Sequence, residues 1–447
     1  MLRSTASGPP AFAAGFGLLP AAFAALGALA APHPAQAGHL ATRYHIVDLG
    51  GPPAGSAGYA VNSDGVVAGY QLLGFEMPHA VLFEDGHIID LGTLGGDASL
   101  ASGVARGDRA VGWARLPDQN RHAFLWQDGV MNDLGTLGGS WSTANAISDS
   151  GLVVGGSLVP GDTVEVPFVW TASAGMQAIP VPGVSGGEAI GVNDAGDVVG
   201  SFLDNSGTLE AFRLRNGVVQ VLPSLGPYAT KAYGVSNTGD IVGYSYNNES
   251  HPSFHAVLWR DGVLHDLGAL VSDHSGAMAV NDSGVAVGLS YDAGFTMVAV
   301  AFADSQVVDL NGFLPQGTAW HLDTAYGIAT SGEITGSGTL NGATRAFTLV
   351  PDPPLPPAPE RLALRAWPLP MREAGTLELD LPKSADVKLA LYDLAGRRLA
   401  ELARGTFGPG RVTLPVPAAA LAARSGVYWV RLETRLGSST VRMVIAR

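Results

Sequence analysis

A unit of about 44 residues that returns through the middle of the chain constrains the fold more than any other feature. One copy reads HAFLWQDGVMNDLGTLGGSWSTANAISDSGLVVGGS from His122 to Ser157. Its first half recurs from His79 as HAVLFEDGHIIDLGTLGG and from His255 as HAVLWRDGVLHDLGAL, with weaker copies from Pro167, Ala211 and Ala299 and a fragment, AFTL, from Ala346. Its second half closes on Gly69, Gly112, Gly155, Gly200, Gly243, Gly288 and Gly336, at spacings of 43 to 48 residues.

Each unit holds four short runs rich in β-branched and aromatic residues, the composition that suits a pleated, half-buried surface. Two of the joints are tight turns, at Asp128-Gly129 and around Gly151, where glycine accepts positive φ without steric cost. No segment keeps an apolar period of 3.6, so stacked helical repeats are excluded. The 60 glycines and the low charged fraction of 14% fit many strands and turns. Four antiparallel strands per repeat are one blade of a β-propeller.

The closing hairpin occurs seven times, but the outer DLG strand follows only six of the HAF-like runs. The missing strand lies at the other end of the chain, in YHIVDLG from Tyr44 to Gly50. Pairing it beside Ala346–Leu349 closes the ring and removes the exposed sheet edges that invite aggregation. The expected fold is therefore all-β: a seven-bladed β-propeller over 38–350, closed by an N-terminal strand, with a C-terminal Ig-like β-sandwich.

The flanks read differently. Arg3, the apolar stretch 11–31 and small residues at Ala35 and Ala37 form the pattern of a secretory signal peptide over 1–37. That implies a secreted or surface-attached protein with no membrane span after cleavage. PDPPLPPAP at 351–359 is a semi-rigid linker. Residues 360–447 carry short alternating runs (GTLELDLP, DVKLALYD, GRRLAEL, RVTLPV, GVYWVRLE and TVRMVIAR) separated by Gly, Pro and Ser, the spacing of an Ig-like sandwich. The net charge of -14 is carried by the propeller segment, whereas the tail is net basic, so a salt-sensitive docking of the two is an expectation. An acidic chain excludes a general nucleic-acid binder.

The HAFLW–DG–DLGTLGG–AIN–VVG pattern resembles the HAF family of extracellular bacterial repeat proteins. That resemblance implies an extracellular location and no reaction. The tail, through Val387–Asp393, Gly396-Arg397-Arg398, Gly410 and Ser425–Tyr428, resembles the Ig-like domain of flagellar hook-capping proteins and the related type IX secretion sorting domain. That resemblance implies contact with secretion machinery. Its opening Pro-Asn-Pro is here Pro368-Leu369-Pro370 and its end is Arg-rich.

Signals for chemistry are sparse. There is no cysteine, which excludes disulfides, Cys-ligated zinc and thiol catalysis. No GxSxG, HExxH, P-loop or dinucleotide fingerprint occurs, and no cofactor or metal is indicated. His79, His122 and His255 share one repeat position, but the other repeats lack the histidine, so they read as strand-start residues. The turn residues Asp64, Asp149, Asp194 and Asp282 read as turn chemistry before calcium ligands. Loops of variable length are the better binding candidates: Trp113, Arg115 and Trp141, and the cluster Tyr244, Tyr246, Asn247, Asn248 and His251, which mixes aromatic faces with amides suited to a glycan or a peptide or protein partner. The leading expectation is a non-enzymatic binding protein whose tail serves export or attachment. The alternative is a secreted carbohydrate-active lyase or hydrolase with its site at the channel mouth. Three or more His, Asp, Glu, Tyr or Arg side chains converging there would favour the enzyme, and a channel walled by Ala, Val, Ser and Gly the binder. The inner strands AYGV, ANAI, EAIG and AMAV predict the small wall.

Overall fold

The computed structural model describes residues 39–52, 55–73, 77–182, 186–247, 253–353, 360–372, 375–416 and 425–446. The signal-peptide segment 1–37 and most of the proline-rich linker lie outside these residues. The chain divides into two compact units, Met1–Pro351 and Asp352–Arg447.

The first unit is all-β and propeller-like. Among the described residues it has no α-helix, only a 3-10 turn at Leu310–Phe313. Its strands form four-stranded antiparallel sheets in sequence order. A representative sheet runs Ser142–Ile147, Val153–Leu158, Glu165–Thr171 and Gly175–Ala178. First strands of successive sheets touch, and the first strand of the earliest sheet, Ser56–Val61, touches that of the last, Trp320–Ile328. The last sheet takes its outer strand from the start of the unit: Tyr44–Asp48 pairs antiparallel with Ala343–Pro351, Ile46 opposite Leu349 and Asp48 opposite Phe347.

Packing explains the repeat pattern. The Ala-Phe pair of each HAF-like run is sealed between sheets: Ala123, Phe124, Phe168, Ala211, Phe212, Ala346 and Phe347 are fully buried. The Asp-Gly joints have both residues at positive φ, as at Asp128 (55°) and Gly129 (79°), the geometry of a type I′ hairpin whose twist matches its strands. A second device, at Ser56, Ser99, Ser142 and Ser275, ties a sheet to its neighbour. The Ser142 hydroxyl donates to the Gly135 carbonyl at 2.7 Å and accepts from the Ala123 N–H at 2.8 Å. At the closure Ser56 does the same, donating to Gly50 O (2.7 Å) and accepting from Ala346 N–H (3.0 Å). One buried hydroxyl thus joins the N-terminal strand segment, the C-terminal repeat strand and the first sheet.

The second unit consists of a three-stranded sheet (Ala363–Trp367, Thr376–Leu381, Gly410–Pro415) and a four-stranded one (Arg398–Phe407, Ala385–Tyr392, Gly426–Thr434, Gly437–Ile445). Alternate residues of both, including Leu377, Leu379, Val387, Leu389, Val430 and Leu432, share one core. All six runs read from the sequence are strands, and Ala363–Trp367 is a seventh that its short alternation concealed.

Candidate functional site

The site arises from an irregularity repeated in every first strand. Pairing with the second strand slips by one residue after the same repeat position, leaving Tyr59, Ser102, Asn145, Ile190, Tyr233, Met278 and Tyr326 each as the extra residue of a bulge. A bulge re-aims its side chain. Here Tyr59, Ser102, Asn145, Tyr233 and Tyr326 line one cavity of ≈ 580 Å³ along the ring of first strands. The residue after the bulge must be small because adjacent first strands nearly touch: a Cβ on Gly191 would lie 2.6 Å from the Tyr233 carbonyl.

Two residues earlier in their strands, Glu188 and Lys231 line the same cavity. Their charged groups pair at 2.8 Å, and the Asn145 amide donates to the other Glu188 oxygen at 3.3 Å. Burial works against the Lys231 ammonium, but the Glu188 carboxylate more than offsets it and holds the lysine above its ordinary value. The Lys231 ammonium also lies 5.2 Å from the Tyr233 ring centre. Tyr59 packs edge-on against Tyr326 at 4.9 Å and beside Tyr70 at 5.9 Å. Burial, then the two neighbouring phenols, pushes the Tyr59 hydroxyl far above the ordinary range, so it stays a proton donor.

Glu165 and Arg121 are not among the residues that line the cavity, but Glu165 feels the charges of Glu188 and Lys231; both stand two residues ahead of the sealed Ala-Phe or Pro-Phe pair of adjacent sheets. The Glu165 carboxyl fills the space above Gly156, where a Cβ would collide with it. Burial first, then the nearby Glu188 charge, pushes the Glu165 carboxyl up to about 7 against the opposing pull of Arg121 and Lys231. The Arg121 guanidinium lies between two indoles, 4.0 Å from the Trp141 ring centre and 4.9 Å from that of Trp113. Its Nε is buried without a hydrogen bond, and burial pushes the group down to about 10 despite Glu165. The result is a carboxyl that exchanges its proton near neutral pH, within the field of the Glu188–Lys231 pair, a setting suited to acid–base chemistry.

The loop residues singled out in the sequence divide into groups. Trp113 and Trp141 hold Arg121, and Arg115 pairs with Asp97 at 3.1 Å. Tyr244 packs on Tyr233 at 6.0 Å, beside Lys231. Tyr246 belongs to an aromatic cluster with Tyr244 and Phe254. Asn247 is engaged locally, accepting from the Ser253 hydroxyl at 2.6 Å and contacting His255 Nε2 at 3.3 Å. Asn248 and His251 lie outside the described residues. Glu165, Glu188, Lys231, Arg121, Asn145 and the tyrosines Tyr59, Tyr233 and Tyr326 escaped the sequence reading. Their signal is that each is a large polar residue where other repeats carry a small or apolar one.

Other candidates are accounted for by structure. The recurrent histidines bind the aspartate of the fourth strand, His122 Nδ1 meeting Asp133 at 2.9 Å and His255 Nδ1 meeting Asp266 at 2.9 Å. At the opposite mouth the turn carboxylates accept backbone N–H groups from the preceding sheet: Arg106 to Asp149 (2.9 Å), Asp149 to Asp194 (2.7 Å) and Asn237 to Asp282 (2.7 Å). Among the described residues no group of three or more His, Cys, Asp or Glu is placed to hold a metal ion, and no helix is long and apolar enough to cross a membrane.

No family model matches the chain, and no curated protein does. Among solved structures, the chain is similar to XC5397 from Xanthomonas campestris, a gluconolactonase (15% identity, TM-score 0.34, covering 66% of this chain and 98% of that one). It is also similar to a mutant of AofleA from Arthrobotrys oligospora (10% identity, TM-score 0.34, covering 62% and 93%). The expected non-enzymatic binding role is corrected here on the geometry of the cavity. Small residues such as Ala60, Gly103, Ala146, Gly191, Gly234 and Ala279 do line much of the cavity, as the inner strands predicted, but large polar side chains stand among them. Strand alternation turns Ala101, Ala144, Ala189, Ala232 and Ala277 into the sheets, where they are fully buried, and presents the intervening residues. Glu188, Lys231, Tyr59, Tyr233 and Tyr326 converge on one cavity, which is the arrangement expected of the enzyme.

Proposed function

We propose that the chain is a carbohydrate-active enzyme that cleaves a glycosidic bond at this cavity mouth. The observation that carries the reading is the Glu165 carboxyl, pushed up to about 7 beside the Glu188–Lys231 pair. In hydrolysis, Glu165 gives its proton to the departing glycosidic oxygen, and water then bonds to the anomeric carbon and returns its own proton to the Glu165 carboxylate. Glu188, fixed by Lys231 and Asn145, is the second carboxylate, the one that faces the sugar's developing positive charge. Trp113, Trp141, Tyr59 and Tyr244 offer flat faces to sugar rings.

The remaining organisation is proposed with it. The first unit is a seven-bladed propeller of HAF-type repeats, and the second is an Ig-like sandwich of the hook-capping or type IX sorting kind. The boundaries are 1–37, 38–350, 351–359 and 360–447, with export directed by the first segment and contact with secretion machinery made by the last.

The test is release of reducing ends from a panel of plant, algal and bacterial polysaccharides. Glu165→Gln and Glu188→Gln are each expected to slow turnover by roughly 10²–10⁴-fold, the usual contribution of a positioned acid or base, while binding persists. Wild-type rates in both variants, or no cleavage of any polymer by the wild type, would defeat the reading.

A further inference from the structure

Arg121 makes no ion pair among the described residues, its Nε has no hydrogen-bond partner, and its guanidinium packs against Trp141 and Trp113. The one opposing charge that acts on it, Glu165, forms no ion pair with it among the described residues, and burial raises that carboxyl so that it is only partly ionised near neutral pH. Arg115, directly opposite Arg121 in the strand pair, already spends its charge on Asp97. Lys231 likewise spends its charge on Glu188. A desolvated guanidinium between aromatic faces, with its charge unmet, is a site for an anion carried on a flat, apolar-faced body.

Resting on the reading of Glu165 and Glu188 as glycosidic machinery, we propose that the substrate is an acidic polysaccharide and that Arg121 binds the carboxylate of a uronate unit. Trp113 and Trp141 receive the sugar ring of that unit. Arg121, Glu165, Glu188 and Lys231 stand on four successive sheets, so a polymer lying along this arc places the uronate beside, and not at, the bond being broken. Arg121 is thus a specificity residue. The overall charge of -14 repels polyanions in general, which makes a local recognition site necessary and keeps non-specific adsorption low.

The full chain is titrated calorimetrically with polygalacturonate and with alginate, each against its esterified, uncharged form, and with dextran sulfate against dextran. The wild type is expected to prefer an acid form over its ester by at least tenfold. Arg121→Gln is expected to bring the two affinities within twofold, and Arg121→Lys, which keeps the charge but not the fork, to retain a preference of at least threefold. Equal wild-type affinity for acid and ester, or an undiminished preference in Arg121→Gln, overturns the proposal. So does an equally strong preference for dextran sulfate over dextran, which would mean that any sugar anion is read. The two readings separate cleanly. Uronate preference without cleavage keeps the Arg121 site and removes the glycosidic reading. Cleavage indifferent to esterification and to Arg121→Gln does the reverse.

Discussion

Replacing Glu165 by glutamine tests the electrostatics of the site without reference to any substrate. Burial and the Glu188 charge move this carboxyl from its ordinary 4.5 to about 7. At about 1.4 kcal/mol per pH unit that displacement is a preference of about 3 kcal/mol for the protonated form. Solvent around a carboxyl that keeps part of its surface reduces this to about 1–2 kcal/mol. Because the folded-state value is raised, the folded protein holds the proton more tightly than the unfolded chain. The stabilisation is complete below about 4.5 and is lost as pH rises through about 7. Glutamine keeps the shape above Gly156 and cannot ionise. Urea unfolding of the first unit, measured at pH 5 and pH 8 for both proteins, should show the wild type losing about 1–2 kcal/mol more than Glu165→Gln between the two conditions. Parallel losses in the two proteins would mean that Glu165 titrates as an ordinary surface carboxyl, and the acid role would go with it.

Three further outcomes follow from named contacts. Ser56→Ala removes the hydroxyl that joins Gly50 and Ala346 and leaves a buried N–H unpaired, so unfolding free energy should fall by about 1–3 kcal/mol in denaturant titration; an unchanged midpoint would contradict the clasp. His255 is opposed by burial but held protonated by Asp266 and Asp273, above its ordinary value of 6.5, so its contribution is complete below about 6.5 and lost as pH rises through the raised value. His255→Gln should therefore cost stability at pH 6 and little at pH 9, and equal losses at both would refute this. Lys231→Met strips Glu188 of its partner in the cavity; thermal unfolding should show a drop equivalent to about 1–3 kcal/mol, and Lys231→Met,Glu188→Met together should recover part of it. No recovery in the double variant would show that the pair is not coupled.

The scaffold was readable because its residues are fixed by backbone geometry. Asp128-Gly129 announces a hairpin since few other pairs accept two positive φ values, and the missing outer strand could be inferred because a ring without Tyr44–Asp48 leaves an edge open. The tail strands were readable from alternation, apart from Ala363–Trp367. The site was concealed by the same regularity. What recurs from repeat to repeat is what the packing demands: the sealed Ala-Phe pair, the serine that ties sheets together, the small residue where first strands touch. The bulged position is free of those demands, so it varies from Tyr59 to Ser102 to Ile190 and looks like noise in an alignment of the repeats. The wall of small residues was legible, but the polar side chains set among it were not, because the recurring letters were read and the changing ones between them were passed over.

The same logic identifies the acid residue. After the closing glycine, three other repeats place the rings of Tyr70, Trp113 and Tyr244, and the remaining three place Ser201, Leu289 and Ser337. The Val153–Leu158 strand has Gly156 there, a second glycine in succession with no turn to make. A Cβ at that point would collide with the Glu165 carboxyl, so the glycine is the room the carboxyl occupies. The departure at Gly156 and the departure at Glu165 are one feature of the fold, and they coincide where burial, and after it the charge of Glu188, raises the proton affinity of Glu165. In a repeat protein the recurring residues describe the scaffold. Paired exceptions such as these, adjacent in space and opposite in size, are where its chemistry is to be sought.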